Sequence, residues 1–420
     1  MSTKVPKTYF YKFYDASGTY QSEFYGQGFD VASLPEFTWR INGGKGSQEI
    51  KIAGSATDFQ NYASQNSNFK MEVYVHDKET PARGQLIYTG HNIDSTYRLM
   101  NNGFIELEPL LYISGEKDLN NKYVENLVTG ATTISYSNED PADIIRDLLD
   151  KYALKGGYVT YDSESIVDTG FSISLTVKNE FYLEAINRIV GYLPRFWHWY
   201  IDGENKFNLR KTNFDVVDHK LYIGREVIGG QIRLSFGEMV NGVYFHGGDT
   251  GGGTKLYKKY TNATSQTSFG VFDRTISDER VTDPNTAEIR AQAMLDDGSS
   301  PIRYVEMEII DSNGSANGYD IESIKPGDTI QALSSDVATQ FTYWQNDAGT
   351  VGNGVWDVSF WDYDIDASLG VPFQVQEIQY QHDRVVVRAS DIIQDLSTTV
   401  DQLEKRQFLA ETVDSPTSPS

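Results

Sequence analysis

The strongest constraint is a pair of stretches far apart in the chain. The first is Ile321 to Ala332 (IESIKPGDTIQA), which reads as a strand entering a tight turn. Pro326 presets φ, Gly327 supplies permissive backbone, and the Asp328 carboxylate can cap the turn. The second is Phe373 to Ser390 (FQVQEIQYQHDRVVVRAS). Its apolar residues alternate on both sides of Gln381, His382 and Asp383, the pattern of a β-hairpin. Together they predict a small antiparallel sheet or barrel.

The same pattern recurs near the start. Lys7 to Tyr14 reads as an aromatic strand, turned at Asp15–Gly18 and returned by Thr19 to Tyr25. In Glu36 to Ala53, two alternating runs flank Asn42, Gly43, Gly44, Lys45 and Gly46, which predicts a hairpin. A phosphate-cradling loop would need a GK[ST] ending and a following helix, and neither is there. Strands are expected at Lys70–His76, Gln85–Asn92 and Phe104–Leu111. Residues 1–115 are thus read as a first β-barrel domain.

The period then becomes helical. Asp140 stands at an N-cap and Pro141 at the first helical position, before a stripe of Ile144, Ile145, Leu148, Leu149 and Tyr152. A second helix is expected over about Glu180–Leu193, then a hairpin on either side of Asp202–Gly203. Residues 116–235 are read as an α+β insert. Residues 236–300 are read as a connecting α+β segment with a glycine-rich loop at Gly247–Gly253. A helix near Asn285–Leu295 follows Asp283–Pro284. A second β-barrel domain is expected over 301–391, carrying an aromatic loop at 336–372. Ile393, Leu396, Val400 and Leu403 recur at spacings of three and four, which predicts a helix over 392–411 with a coiled-coil rhythm. Residues 412–420 read as disordered. The fold class is α+β, predominantly β: two small barrels, an insert between them and a short terminal helix.

A chain of 420 residues with 39% apolar and 13% aromatic content can build several cores. The balance of 36 Lys and Arg against 59 Asp and Glu gives −23, which disfavours binding to a phosphate backbone. No cysteine is present, so no disulfide, thiolate zinc site or Cys nucleophile is expected, and assembly in a reducing cytoplasm follows. No signal-like leader and no membrane-spanning run is read.

The histidines, His76, His91, His198, His219, His246 and His382, make no metal-ligand spacing. His198, between Trp197 and Trp199, reads as a packed strand residue. His246 lies in a glycine-rich loop without a nearby nucleophile elbow. Asp362, Asp364 and Asp366 imitate a calcium loop, but Ala367 and Phe373 stand where glycine and glutamate belong. No catalytic residue, metal or cofactor is expected.

A set of motifs follows in order: Trp39–Gly44 (WRINGG), Val73–Asp77 (VYVHD), Leu86–Gly90 (LIYTG), Asp140–Ile145 (DPADII), Tyr182–Ile186 (YLEAI), Trp197–Asp202 (WHWYID), Val240–Phe245 (VNGVYF) and Ile324–Asp328 (IKPGD). This ordered set resembles the tail-tip hub of bacteriophages: the central baseplate hub of contractile phages and the N-terminal part of siphophage tail-associated lysins. The resemblance implies a homotrimer whose paired barrels form a six-membered ring on the tail tube, in the virion at the distal end of the tail. It implies as partners a distal tail or tail tube protein, a tape measure protein and a tip fibre, spike or receptor-binding protein. DNA would meet it only in transit and the host envelope only indirectly. The insert, 137–210, would constrict the lumen, with Gly247–Gly253 as its hinge. Ile393, Leu396, Val400 and Leu403 would form an axial bundle. Tyr343, Trp344, Trp356, Phe360 and Trp361 would contact a neighbouring subunit or protein. Two other readings compete. One is a peptidoglycan-degrading tail enzyme; the other is a carbohydrate-binding adhesin using Trp344, Trp356 and Trp361.

Overall fold

The computed structural model describes residues 7–25, 34–50, 69–76, 84–99, 105–126, 129–194, 196–237, 239–251, 253–311, 319–334, 372–381 and 384–390. The first seven strands are β1 (Thr8–Tyr14), β2 (Tyr20–Tyr25), β3 (Glu36–Arg40), β4 (Ser47–Ile50), β5 (Lys70–His76), β6 (Gln85–Leu99) and β7 (Ile105–Ile113). Six of them form an antiparallel sheet in the order β2-β1-β5-β6-β7-β4. Tyr9, Tyr11 and Phe13 alternate inward on β1 and are fully buried, as a period of two requires.

β3 leaves this sheet. It pairs with β19 (Phe373–Gln381), with Trp39 opposite Ile378 and Phe37 opposite Tyr380. The expected 36–53 hairpin is therefore not a hairpin: its glycine-rich turn passes the chain from one sheet to another. Turn chemistry dictates a reversal of direction but not which sheet each arm joins.

The insert holds α1 (Gly115–Leu119), β8 (Thr133–Glu139), α2 (Pro141–Leu154), β9 (Ile173–Lys178), α3 (Tyr182–Val190), β10 (Trp197–Ile201) and β11 (Phe207–Lys211). α2 begins as its sequence specifies. Asp140 accepts the Ala142 amide at 2.8 Å, and Ile144, Ile145, Leu148, Leu149 and Tyr152 are buried. β8 pairs with β9 and β10 with β11.

β12 (His219–Ile223) and β13 (Val227–Ser235) come next, then β14 (Gly242–Asp249), β15 (Lys255–Thr261), α4 (Ala263–Phe269), β16 (Asp273–Asp278) and α5 (Pro284–Gly298). The last strands are β17 (Ile302–Ile310), β18 (Thr329–Ser334), β19 and β20 (Arg384–Ser390). β12, β13, β17, β20, β19 and β18 close into a six-stranded barrel, with β3 added outside β19. The predicted hairpin is β19–β20. Ile321–Ser323, expected as strand, is a single 3-10 turn that leads into Gly327 at φ +89°.

Two cores result, and they cut across the sequence division. One joins the first sheet to the barrel, packing Tyr9, Phe13 and Val73 with Met307, Val385 and Val387. The other joins the insert to the connecting segment, packing Ile145, Ile186 and Trp199 with Phe245, Ala291 and Leu295. β12 and β13, placed in the insert at 116–235, are barrel strands. Their pattern marks them as strands, but their partners lie up to 111 residues away.

Candidate functional site

The polar residues converge where the first sheet, the insert and the barrel meet. The loop Ile41–Gly46 is the joint. The Ile41 amide donates to the Gln376 carbonyl (2.9 Å) of the barrel, and the Asn42 amide to the Trp199 carbonyl (2.6 Å) of the insert. The Ile201 amide donates back to the Gly43 carbonyl at 3.0 Å, and Trp39 Nε1 donates to the Ile201 carbonyl at 2.9 Å. The Gly44 amide donates to Glu116 Oε2 at 2.8 Å. The loop does hold an anion, then, and the anion is a side chain of its own chain.

Lys45 points inward from this loop. Its ammonium donates to the Ile87 carbonyl and lies 4.0 Å from the Trp39 ring centroid and 5.4 Å from that of Phe37. Burial pulls its pKa down to about 7, against the upward pull of Asp202 and Glu322. A cavity of about 270 Å³ opens beside it, lined by Trp39, Ile87, Gly203, Glu322, Lys325 and Tyr380 among others.

The turn after Ile321 forms the other wall. Asp311, Asp320 and Glu322 bring carboxylate oxygens within 4.8 Å of one another. The cation among them is Lys7, which pairs with Asp311 and Glu322. Burial pushes the Glu322 carboxyl up to about 7, with the hydrogen bond to Asp320 acting in the same direction and Lys7 opposing. Tyr380 donates to Glu322 and meets the Tyr9 hydroxyl at 2.9 Å.

Asp328 caps its turn as predicted: its Oδ2 accepts the Lys325 amide at 2.8 Å. The same oxygen lies 2.9 Å from His219 Nε2, whose Nδ1 lies 2.8 Å from the Tyr319 hydroxyl. Carboxylate and imidazole stand as in a base–orienter pair, but the third group is a phenol. Burial raises the Tyr319 pKa, which makes it a poor nucleophile at neutral pH. This arrangement ties β12 to the turn, as does Thr329, which donates through its amide and hydroxyl to Asp218 Oδ2 at 2.8 Å each.

His198 is a packed histidine, as its sequence context predicts. It is 3% exposed, burial lowers its pKa to about 4, and its ring abuts Gly327. His246 is exposed on β14 beside the Tyr257 ring, at 4.8 Å between centroids. Part of the expected hinge, Gly247–Gly253, lies in a strand. Gly247 and Gly248 lie in β14, where a Cβ would come within 2.5 Å of the Val281 carbonyl and 2.1 Å of the Glu279 carbonyl. These glycines permit close backbone packing, and the Asp249 carboxylate accepts the Gly251 and Gly253 amides at 2.8 and 3.1 Å. Ile393, Leu396, Val400, Leu403, Tyr343, Trp344, Trp356, Phe360 and Trp361 lie outside the described residues, as do Asp362, Asp364 and Asp366.

Sequence reading missed Lys7, Lys45 and Glu322 at the joint. Lys45 sits among turn residues and carries no apolar signal. Glu322 looks like an ordinary surface acid beside Asp320.

No protein-family model matches the chain, and no curated protein matches it in sequence. Solved structures share its fold over nearly the full length. Prophage tail protein gp18 from Listeria monocytogenes EGD-e superimposes with a TM-score of 0.53 at 11% identity, covering 94% of this chain and 98% of that one. The 43 kDa tail protein of prophage MuSo2 from Shewanella oneidensis gives 0.53 at 12% identity, covering 92% and 98%. A tail protein from Neisseria meningitidis MC58 gives 0.52 at 10% identity, covering 91% and 96%.

Proposed function

We propose that this chain is a structural component of a phage tail tip, a hub that assembles as a homotrimer. The observation that carries the reading is architectural. Its β sheet and barrel share one core, its insert packs in a second, and this arrangement matches prophage tail proteins from end to end. Two β modules per chain would give six similar units in a trimer. Such a ring can meet a six-fold tail tube on one side and a three-fold tip on the other. The joint around Ile41–Gly46 suits this work because it locks the three parts of a subunit into one block. The insert would narrow the lumen and yield when DNA leaves. The tube-side partners would be a distal tail or tail tube protein and the tape measure protein. Fibre, spike or receptor-binding proteins would attach at the tip. Assembly would occur in the host cytoplasm, and the mature location would be the distal end of the virion tail.

In this reading Leu396, Val400 and Leu403, with Ile393, form the axial bundle, and Tyr343, Trp344, Trp356, Phe360 and Trp361 contact a neighbour. Native mass measurement tests the assembly, and imaging of intact particles tests its place. A trimer ringing the tail axis is expected, with Val400→Asp shifting the trimer toward monomer. A strictly monomeric protein that releases peptidoglycan fragments would overturn the proposal, and an unchanged Val400→Asp trimer would remove the helix from it.

A further inference from the structure

Strand β13 is bonded on one side only over most of its length. It pairs with β17 from Val227 to Ser235. On its other side β12 reaches it at a single position, Ile223 opposite Val227, because the chain turns tightly at Gly224. Among the described residues no strand lies on that edge beyond Val227. Residues 228–233 are all exposed. Ile228, Ile232 and Phe236 are 51%, 59% and 54% exposed. The register shifts between Val227 and Gly229, so Ile228 sits at a bulge with Ile232 beyond it and Phe236 just past the strand's end.

Sheet edges of this kind invite pairing, and proteins blunt them with charge, proline or bulges. Other edge strands of this molecule follow that rule. β15 carries Lys255, Lys258 and Lys259, and β16 carries Asp273, Arg274 and Asp278. β13 carries one bulge, at Ile228, and one charge, Arg233; the four residues between them, Gly229 to Ile232, have no charge and no proline. The stretch between the bulge and Arg233 is left open to a further strand.

Charge indicates what covers it. The exposed charged residues of 219–237 are Lys220, Arg225 and Arg233; the one acid, Glu226, is 1% exposed. The whole chain carries −23. A second copy therefore offers this arm a surface of opposite sign. Two β13 strands meeting each other would bring like charges together, so the contact is between different edges of the two copies. Contacts of that head-to-tail type close into rings when the rotation between copies closes.

We infer that the outer edge of β13 pairs with an acidic edge strand of a second copy of this chain, extending the barrel sheet across the subunit boundary. The inference rests on the trimeric reading above and adds to it the surface that makes the contact. It is tested on the full chain by native mass measurement and amide hydrogen exchange. In the assembled protein the 229–235 amides are expected to exchange at least about tenfold more slowly than after dilution to monomer. Ile228→Lys with Ile232→Lys places charge on an exposed edge and is expected to weaken assembly by about 100-fold with no change in the monomer's unfolding midpoint. Arg233→Glu gives an independent reading should the double variant misfold, and is expected to weaken assembly in a salt-dependent way. A trimer whose 229–235 amides exchange as fast as in the monomer overturns this inference and leaves the hub reading standing. A wild-type chain that stays monomeric at every concentration overturns both.

Discussion

Replacing Lys45 by Met should make the protein more stable below neutrality, an advantage that fades by about pH 10. The Lys45 amine is pulled from its ordinary 10.5 to about 7 by burial. Between those values the unfolded chain keeps a proton that the folded chain drops, so stability rises with pH across that window and the penalty is complete below it. At about 1.4 kcal/mol per pH unit, this amounts to roughly 5 kcal/mol. The Trp39 face at 4.0 Å favours the charged form and returns about 2 kcal/mol, leaving a net penalty of about 3. Methionine fills similar space without charge, but it leaves the Ile87 carbonyl without its donor, a loss of about 1 kcal/mol. Lys45→Met should therefore gain about 2 kcal/mol at pH 6, where wild type carries the whole penalty. Near pH 10, still below the ordinary 10.5, about 1 kcal/mol of the penalty remains and offsets the lost hydrogen bond, so the two should be about equally stable. Urea unfolding followed by tryptophan fluorescence at intervals from about pH 6 to pH 10 measures both, with Trp39 itself reporting on the joint. Wild-type and variant stabilities that run parallel across this range would refute the reasoning, because they would mean that Lys45 titrates alike in both states.

Three further substitutions test the turn at Gly327 and the insert separately. Gly327→Ala should cost about 2–4 kcal/mol, since φ is +89° and the new methyl would lie 1.9 Å from His198 Nε2; Gly170→Ala, at φ +71° with open space around it, should cost only about 1. Equal losses at the two positions in thermal unfolding would show that the His198 contact does not matter. Asp140→Ala removes the acceptor for the Ala142 amide, the Gly170 amide and the Thr169 hydroxyl, and should cost about 2–3 kcal/mol in chemical denaturation; a loss below about 0.5 would discount the cap.

Local elements were legible because local chemistry determines them. Asp140–Pro141 starts α2, the alternation of Val385 and Val387 fixes the face of β20, and Asp328 caps the turn it was assigned to. Pairing across the chain was not legible. The sequence of 36–53 supports a hairpin, and only the distant β19 explains why β3 goes elsewhere. β12 and β13 show the same limit, since, apart from Ile223 opposite Val227, their strand partners follow after more than sixty residues. Buried ions were the least visible part. Lys7, Lys45 and Glu322 look like surface residues in sequence, and each is buried only because elements from opposite ends of the chain close over it. Gly247 and Gly248 show a related limit: glycine marks close backbone approach as well as freedom, and composition does not separate the two.

The departure of β3 from its own sheet bears on how such a subunit would carry load. Phe37 stacks on Tyr380 at 4.9 Å, and Trp39 faces Ile378, so part of the first module's apolar surface is completed only by the barrel. The insert is held the same way, because the loop that leaves β3 also adds Gly43 beside Tyr200 of β10. A force applied to the insert is therefore passed to both β modules through Ile41–Gly46, not through the two chain connections alone. Its release would require breaking backbone hydrogen bonds to Trp199 and Ile201 together. In the proposed tail tip, movement of the insert would therefore involve the Ile41–Gly46 joint.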